Sequence, residues 1–423
     1  MLEKDRPLPK SLPSSIASTE SGWQVLRNLD FLKFAIARFA SGIGLQMIVV
    51  GVGWYVYDRT NSALALGFVG LASFLPTFSL ALVTGHVADS FDRAKIVGVC
   101  YGLIAIVAVG LAAMAAAHTG TGHIGIIYGL LALMGTARAF ANPASQALVP
   151  TLVPKTQFSS AIAFNSSLWQ IAVVTGPSVG GLLYAFGPSV VFGAAASALA
   201  LASLMVLAIP RRREITPREK PTWTSLVAGI RFIRANPEIL GAISLDLFAV
   251  LLGGAASLMP IMARDILHTG PWGLGLLRSG PAIGSFVVGL TLTHFPIRRR
   301  LGHVIFAGVT VFGLMTIVFG LSTSLPLSLF ALIIMGGADM LSVFVRQNLV
   351  QMETPDAMRG RVAAVNTVFI GASNELGDFE SGLVAAAIGA VPAVIVGGLG
   401  TLAVAGIWAW AFPALRKRDR LVK

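Results

Sequence analysis

The chain has 423 residues, of which 55% are hydrophobic and 12% charged, with a formal net charge of +12. A soluble domain carries about 25% charged residues, so this composition, with its mean hydropathy of +0.79, excludes an ordinary soluble protein. The single cysteine, Cys100, excludes a disulfide within the chain and a cysteine-based metal centre.

Residues 1–30 are polar, rich in Pro and Ser, and lack a signal-peptide pattern. They read as a cytoplasmic tail. A crossing helix needs about 20 apolar residues. Six such spans follow, at about 31–57, 63–84, 96–117, 124–147, 161–185 and 189–210. A basic linker, 211–237, comes next, and the apolar spacing within Ser225 to Arg234 predicts a short amphipathic helix at the membrane surface. Six more spans lie at about 239–262, 273–295, 302–322, 326–348, 361–388 and 391–412, ahead of a basic tail, 413–423. The runs are continuous and do not alternate in polarity, which favours helices over a barrel. The expected fold is an all-α membrane protein with twelve transmembrane helices in two six-helix bundles, 31–210 and 238–412.

Lys and Arg set the orientation. The Arg211–Arg213 cluster, Arg93, Lys95, Arg298 to Arg300, Arg359, Arg361 and the tail cations share one side. Arg59 and Arg264 stand on the other. Both termini are therefore expected in the cytoplasm. Topology, with anionic lipid as a partner for the basic loops, accounts for the net charge without nucleic acid.

The two halves repeat. A shift of 201 residues carries Gly135 to Gly336, Asn165 to Asn366, Gly176 to Gly377 and Gly181 to Gly382. A shift of 208 carries Asn28 to Asn236 and Gly67 to Gly275. Between the second and third spans the chain reads Gly85-x-x-x-Asp89-x-x-x-Arg93-x-Lys95, a tight charged turn. Its counterpart after the eighth span has Thr293 in place of the acid.

This turn and layout resemble the major facilitator superfamily over nearly the whole chain. Finer features are similar to its branch of enterobactin exporters and drug:proton antiporters: Leu66-Gly67-x-x-Gly70, Asn142-Pro143-Ala144-x-Gln146, Gly176-Pro177-x-x-Gly180-Gly181 and Asn374-Glu375-Leu376-Gly377. Ala172 stands where that branch usually has a glycine before Gly-Pro. The arginine signature of the fourth helix is not carried over, because Arg138 follows Gly135 instead of preceding a glycine.

The resemblance implies a bacterial inner-membrane transporter working as a monomer by alternating access. It implies a small-molecule substrate and no cofactor beyond a proton gradient. Gly85, Asp89, Arg93 and Lys95 would form a gating turn, with Asp89 latching onto the start of the eleventh span. Gly176, Pro177, Gly180 and Gly181 would pack helices or control the conformational switch.

Charges within a bilayer are costly, about 2.5–3.5 kcal/mol each on insertion scales, so each needs a reason. Here they are Arg38, Arg138, Asp246, Asp339, Arg346, Glu375, Asp378 and Glu380, with Arg278 nearer the outside. Arg38 aligns with Asp246 at the 208 shift and Arg138 with Asp339 at the 201 shift. Facing across a cavity, these pairs would close an inner gate; the alternative is packing within each bundle. Asp339 and Arg346 share a helix face two turns apart, placed to share a partner. Glu375 and Asp378 are adjacent, and Glu380 points elsewhere. Asp246, Asp339 and the adjacent pair are all candidate proton carriers, with bundle packing as the alternative.

No enzyme constellation, metal site or phosphate-binding loop is present in the sequence. The expected function is proton-coupled efflux of small amphipathic molecules of drug or siderophore type. The alternatives are a proton-coupled importer and a non-transporting or lipid-handling membrane protein.

Overall fold

The computed structural model describes residues 22–420 except 81–82, 85–86, 88–89, 118–122, 211–222 and 298. Gly85 and Asp89 of the charged turn lie outside the described residues. Every element described is helical. In order they are α1 (Leu29–Thr60), α2 (Ala63–Ser79), α3 (Arg93–Ala116), α4 (Ile124–Leu152), α5 (Phe158–Tyr184), α6 (Pro188–Leu207) and a linker helix α7 (Trp223–Ala235). Then come α8 (Pro237–Gly253), α9 (Pro271–His294), α10 (Leu301–Leu321), α11 (Leu325–Glu353), α12 (Asp356–Ile388) and α13 (Ala390–Ala411). Among the described residues nine helical segments are long and apolar enough to cross a membrane, and α2 is a shorter apolar helix. With α5 (27 residues) and α12 (33 residues) the set is compatible with twelve crossings.

Local chemistry explains the helix starts. Asn28 caps α1 by accepting from the N–H groups of Asp30 and Phe31, and its amide donates to the Leu152 carbonyl at 2.6 Å. Ser62 caps α2 and Asp92 caps α3. Because Asp92 is the cap, Arg93 and Lys95 belong to the first turn of α3. α4 continues to Leu152 through Pro143 and Pro150, and α12 starts at Asp356. The extra turn of α4 buries Leu148, Val149 and Leu152, whereas α12 begins in polar residues ahead of its apolar stretch.

The expected seventh span is not one helix. α8 ends at Gly253; a 3-10 turn at Ala256–Leu258, a single α turn at Met259–Ile261 and a π turn at Met262–Ile266 follow. Paired glycines weaken the helix here, and Pro260 cannot donate. Backbone groups freed inside a membrane need partners. α12 supplies them: the Ser381 hydroxyl donates to the Gly254 carbonyl, and Asp378 Oδ1 accepts from the Ser257 N–H at 3.0 Å.

In the N-terminal half α1 packs on α5 and α6, α3 on α4 and α6, and α2 on α4. In the C-terminal half α11 packs on α9 and α10, and α13 on α10 and α8. Two seams join the halves, α2 with α12 and α5 with α9. The repeat governs both. A Cβ on Gly382 would lie 2.9 Å from the Cα of Gly67, and one on Gly181 would lie 3.0 Å from the Cα of Gly275. The shifts of 208 and 201 exchange these two glycine pairs, so one close crossing is built twice.

Helix α7 rests on the start of α12. A Cβ on Gly229 would sit 2.9 Å from the Arg361 carbonyl oxygen, Ile233 is buried, and Arg231 and Arg234 are exposed. Within the basic segment after α13, residues 413–420 pack against the helices. Arg418 is 7% exposed and pairs with Glu238 at 2.9 Å and with Glu353. Its carbonyl accepts from the Gly302 N–H at 2.9 Å, and Asp419 accepts from the Arg300 N–H at 3.1 Å. A basic run is normally solvated; here two acidic partners at the ends of α8 and α11 draw one arginine inside.

Candidate functional site

The described hydrogen bonds and ion pairs between halves lie between mid-membrane and one end. Gln170 donates to the Ala282 carbonyl at 3.3 Å, and the Ser178 and Ser279 hydroxyls are 2.8 Å apart. At the rim the Tyr57 hydroxyl donates to Asp265, and Arg264 sits 3.5 Å from Asp58. The Arg264 guanidinium also lies over the Tyr57 ring at 5.5 Å. Toward the opposite, basic end, Phe158 and Ile162 of α5 and Ala363 and Thr367 of α12 are exposed. Among the described residues the hydrogen bonds and ion pairs that join the halves gather toward the end away from the basic residues.

The C-terminal half contains a buried charge cluster. Arg346 of α11, 2% exposed, lies 3.1 Å from Asp246 of α8 and donates to Asn366 of α12 at 3.2 Å. Asp339 lies one helix face along from Arg346. Asp246 and Asp339 share a cavity of about 10 Å³ with Ser342, Gly308 and Phe312. The sequence pairing of Arg38 with Asp246, and of Arg138 with Asp339, is therefore not made in this conformation. The reason lies in the repeat itself. Arg346 has Ser145 as its N-terminal counterpart, so the C-terminal half alone supplies Asp246 with an internal counter-ion.

Arg38 instead stacks its guanidinium 4.1 Å over the Trp169 ring. Arg138, half-buried in α4, interacts electrostatically with Glu375 across the two halves. Glu375 lies against α2, where a Cβ on Gly70 would be 3.1 Å from its Oε2. Asp378 is committed differently: its side chain and carbonyl hold Ser257 at the restart of the seventh span. Arg278 donates to the Ala256 carbonyl at 3.2 Å and interacts with both carboxylates. Glu380 is on the far side of α12, beside Ser381.

Gly176 and Gly180 serve packing within the N-terminal half, against Gln46 and Met47 of α1. Pro177 and Gly181 face α9, so that run contributes to both the bundle and the seam. Ala172 meets Gly42, where an added Cβ would be 2.7 Å from its own. The small residue has moved to the partner helix. Arg93 donates to the Ala147 carbonyl at 3.0 Å, tying the start of α3 to α4. Among the described residues no group of three metal-ligating side chains occurs.

Sequence reasoning missed the rim contacts of Tyr57 and Asp265 and the role of Arg278. Arg59 and Arg264, alone on their side of the membrane, were the signal that this rim carries something specific.

A family model described as transmembrane secretion effector, of the major facilitator type, matches residues 20–421. The enterobactin exporter EntS of Citrobacter koseri is 27% identical over 390 residues, covering 89% of this chain and 88% of that one. EntS of Escherichia coli O81 is 26% identical over the same shares. In fold, the chain is similar to a bacterial homologue of the human lysosomal transporter Spinster in an inward-facing, occupied conformation. That likeness has TM-score 0.70 at 15% identity, over 91% of this chain and 96% of that one. It is also similar to the nucleoside transporter NupG, with TM-score 0.65 at 16% identity over 92% and 99%. The helices, the doubled seam and these matches lead to one conclusion: the chain belongs to the transmembrane secretion effector family of major facilitator transporters and is not an enzyme.

Proposed function

We propose that this transporter exports small amphipathic molecules, of drug or siderophore type, in exchange for protons by alternating access. The observation that carries the reading is the doubled glycine crossing that joins the halves toward one end; on this reading a cleft for the cargo opens at the other, basic end. Rocking about such seams exposes a central site to each side in turn. The relatives named as enterobactin exporters support the direction and the substrate class. Arg38 stacked on Trp169, with Arg138 beside Glu375, gives the cleft cations, a ring and a carboxylate for an amphipathic cargo. The basic end faces the cytoplasm of a bacterial inner membrane on the positive-inside rule, and the exposed arginines of α7 meet anionic headgroups. The domains are the bundles 31–210 and 238–412, and the protein acts as a monomer with no cofactor.

The test is reconstitution into liposomes with an internal pH dye, adding enterobactin and, separately, the cation ethidium. Cargo-triggered proton movement is expected with at least one. Movement with neither, while both still bind, would sink the coupled-export reading.

A further inference from the structure

The charge cluster of the C-terminal half, in which Asp246 and Arg346 are buried and Asp339 is half-buried, holds one more negative charge than it pairs. Asp246 and Asp339 are two carboxylates, and Arg346 is the one cation beside them. Arg346 pairs with Asp246 at 3.1 Å and donates to Asn366 at 3.2 Å, while its buried Nε has no hydrogen-bond partner. Among the described residues Asp339 makes no hydrogen bond or ion pair. The elements packed around it add nothing that could compensate: α10 contributes Gly308, Val309 and Phe312, and α8 adds Ala249 and Val250. An unpaired charge among such groups is strongly disfavoured, so the site calls for one added positive charge.

Two further observations suit it to a small ligand. The cavity between Asp246 and Asp339 measures about 10 Å³, about the room one water needs. The Ser342 hydroxyl on its wall is 2% exposed and has no hydrogen-bond partner. A buried hydroxyl without a partner beside a water-sized space marks a place where something polar binds.

We propose that this cavity is the proton site of the transporter, with the proton carried on Asp339 and relayed through one water held by Ser342 and Asp246. In loading, a donor on the water side gives its proton to an Asp339 carboxylate oxygen, forming a neutral acid. In release, that O–H bond breaks and the proton leaves by the same water. Asp246 stays ionised against Arg346, so one proton moves per cycle. The cleft carboxylate Glu375 then serves cargo and gating, and Asp378 serves structure. The assignment rests on the proton-coupled reading above, but its test does not.

Infrared difference spectra of the full-length protein in liposomes, taken between acid and alkaline buffer, report protonated carboxyl groups directly. Among the titrating carboxyl bands, one is expected to be lost in Asp339→Asn and retained in Glu375→Gln. Ser342→Ala, which removes the unpartnered hydroxyl at little cost to packing, should shift that band. A band unchanged in both Asp339→Asn and Ser342→Ala, or lost in Glu375→Gln, overturns the assignment. Replacing choline chloride by sodium chloride should leave the titration in place; a large sodium-dependent shift would make this a sodium site and overturn the proton assignment. If the band behaves as expected while enterobactin and ethidium move no protons, coupled export fails and the proton site stands.

Discussion

Tyr57, at the end of α1, donates its hydroxyl to Asp265 of the opposite half, where the π turn of the seventh span closes. With Arg264 and Asp58 it forms a polar rim above the glycine seams. Tyr57→Phe should weaken closure of that end without touching the cleft. A net hydrogen bond of this kind contributes about 0.5–1.5 kcal/mol, so the closed-to-open ratio should fall by roughly two- to tenfold. Spin labels at Asn61 and His268 read it directly. An unchanged distance distribution would remove the rim from the gating apparatus.

The seams themselves make a sharper prediction. On Gly181 even a methyl group would stand 2.5 Å from the Pro271 carbonyl oxygen, and on Gly275 it would meet that of Pro177 equally closely. Gly181→Ala or Gly275→Ala should therefore wedge α5 from α9, at a cost of about 1–3 kcal/mol to the closed state. The same label pair should report a more open rim. Gly193→Ala is the control, since nothing lies within 4 Å of that position.

Arg346→Ala leaves Asp246 buried without its cation, with Asp339 beside it. Breaking a buried pair on one side costs about 3–5 kcal/mol, whereas replacing both members by apolar residues is far milder. Thermal unfolding in detergent should show a large drop for Arg346→Ala and a smaller one for Arg346→Met combined with Asp246→Leu. Cys100, buried and the chain's one thiol, gives the readout through its labelling rate. Equal losses in the single and double variants would mean that the pair is not what stabilises this half.

Arg418→Ala should loosen the C-terminal half, because Glu238 and Glu353 lose their shared partner. Hydrogen bonds to charged groups contribute about 1.5–3 kcal/mol each; the two glutamates are partly exposed, so a total near the lower figure is expected. Hydrogen exchange at the start of α8 and the end of α11 should quicken, while α1 to α6 stay protected. Uniform quickening would contradict a local clamp.

The spans, the repeat and the identity of the seam glycines were legible in the sequence, because a bilayer imposes length and polarity and the repeat pairs positions. Gly67 and Gly181 stood out as motif glycines, although nothing local says that each meets the repeat image of the other. Partners across helices were not legible. Asp378 read as a titratable carboxylate, but its place is set by backbone groups freed when Gly253-Gly254 interrupts α8. Arg38 and Asp246 align in the repeat, yet Arg346 reaches Asp246 first, and no periodicity in the sequence encodes that competition.

Arg418 sits only a few residues from the last one, yet it is as much an interior residue as the aromatic side chains of the bundle. An affinity handle or fluorescent protein joined directly after Lys417 would thus remove the cation that ties Glu238 to Glu353. Fusions meant to leave the fold untouched belong beyond Arg420, and truncation series of this chain should be read as core mutagenesis from Asp419 inward.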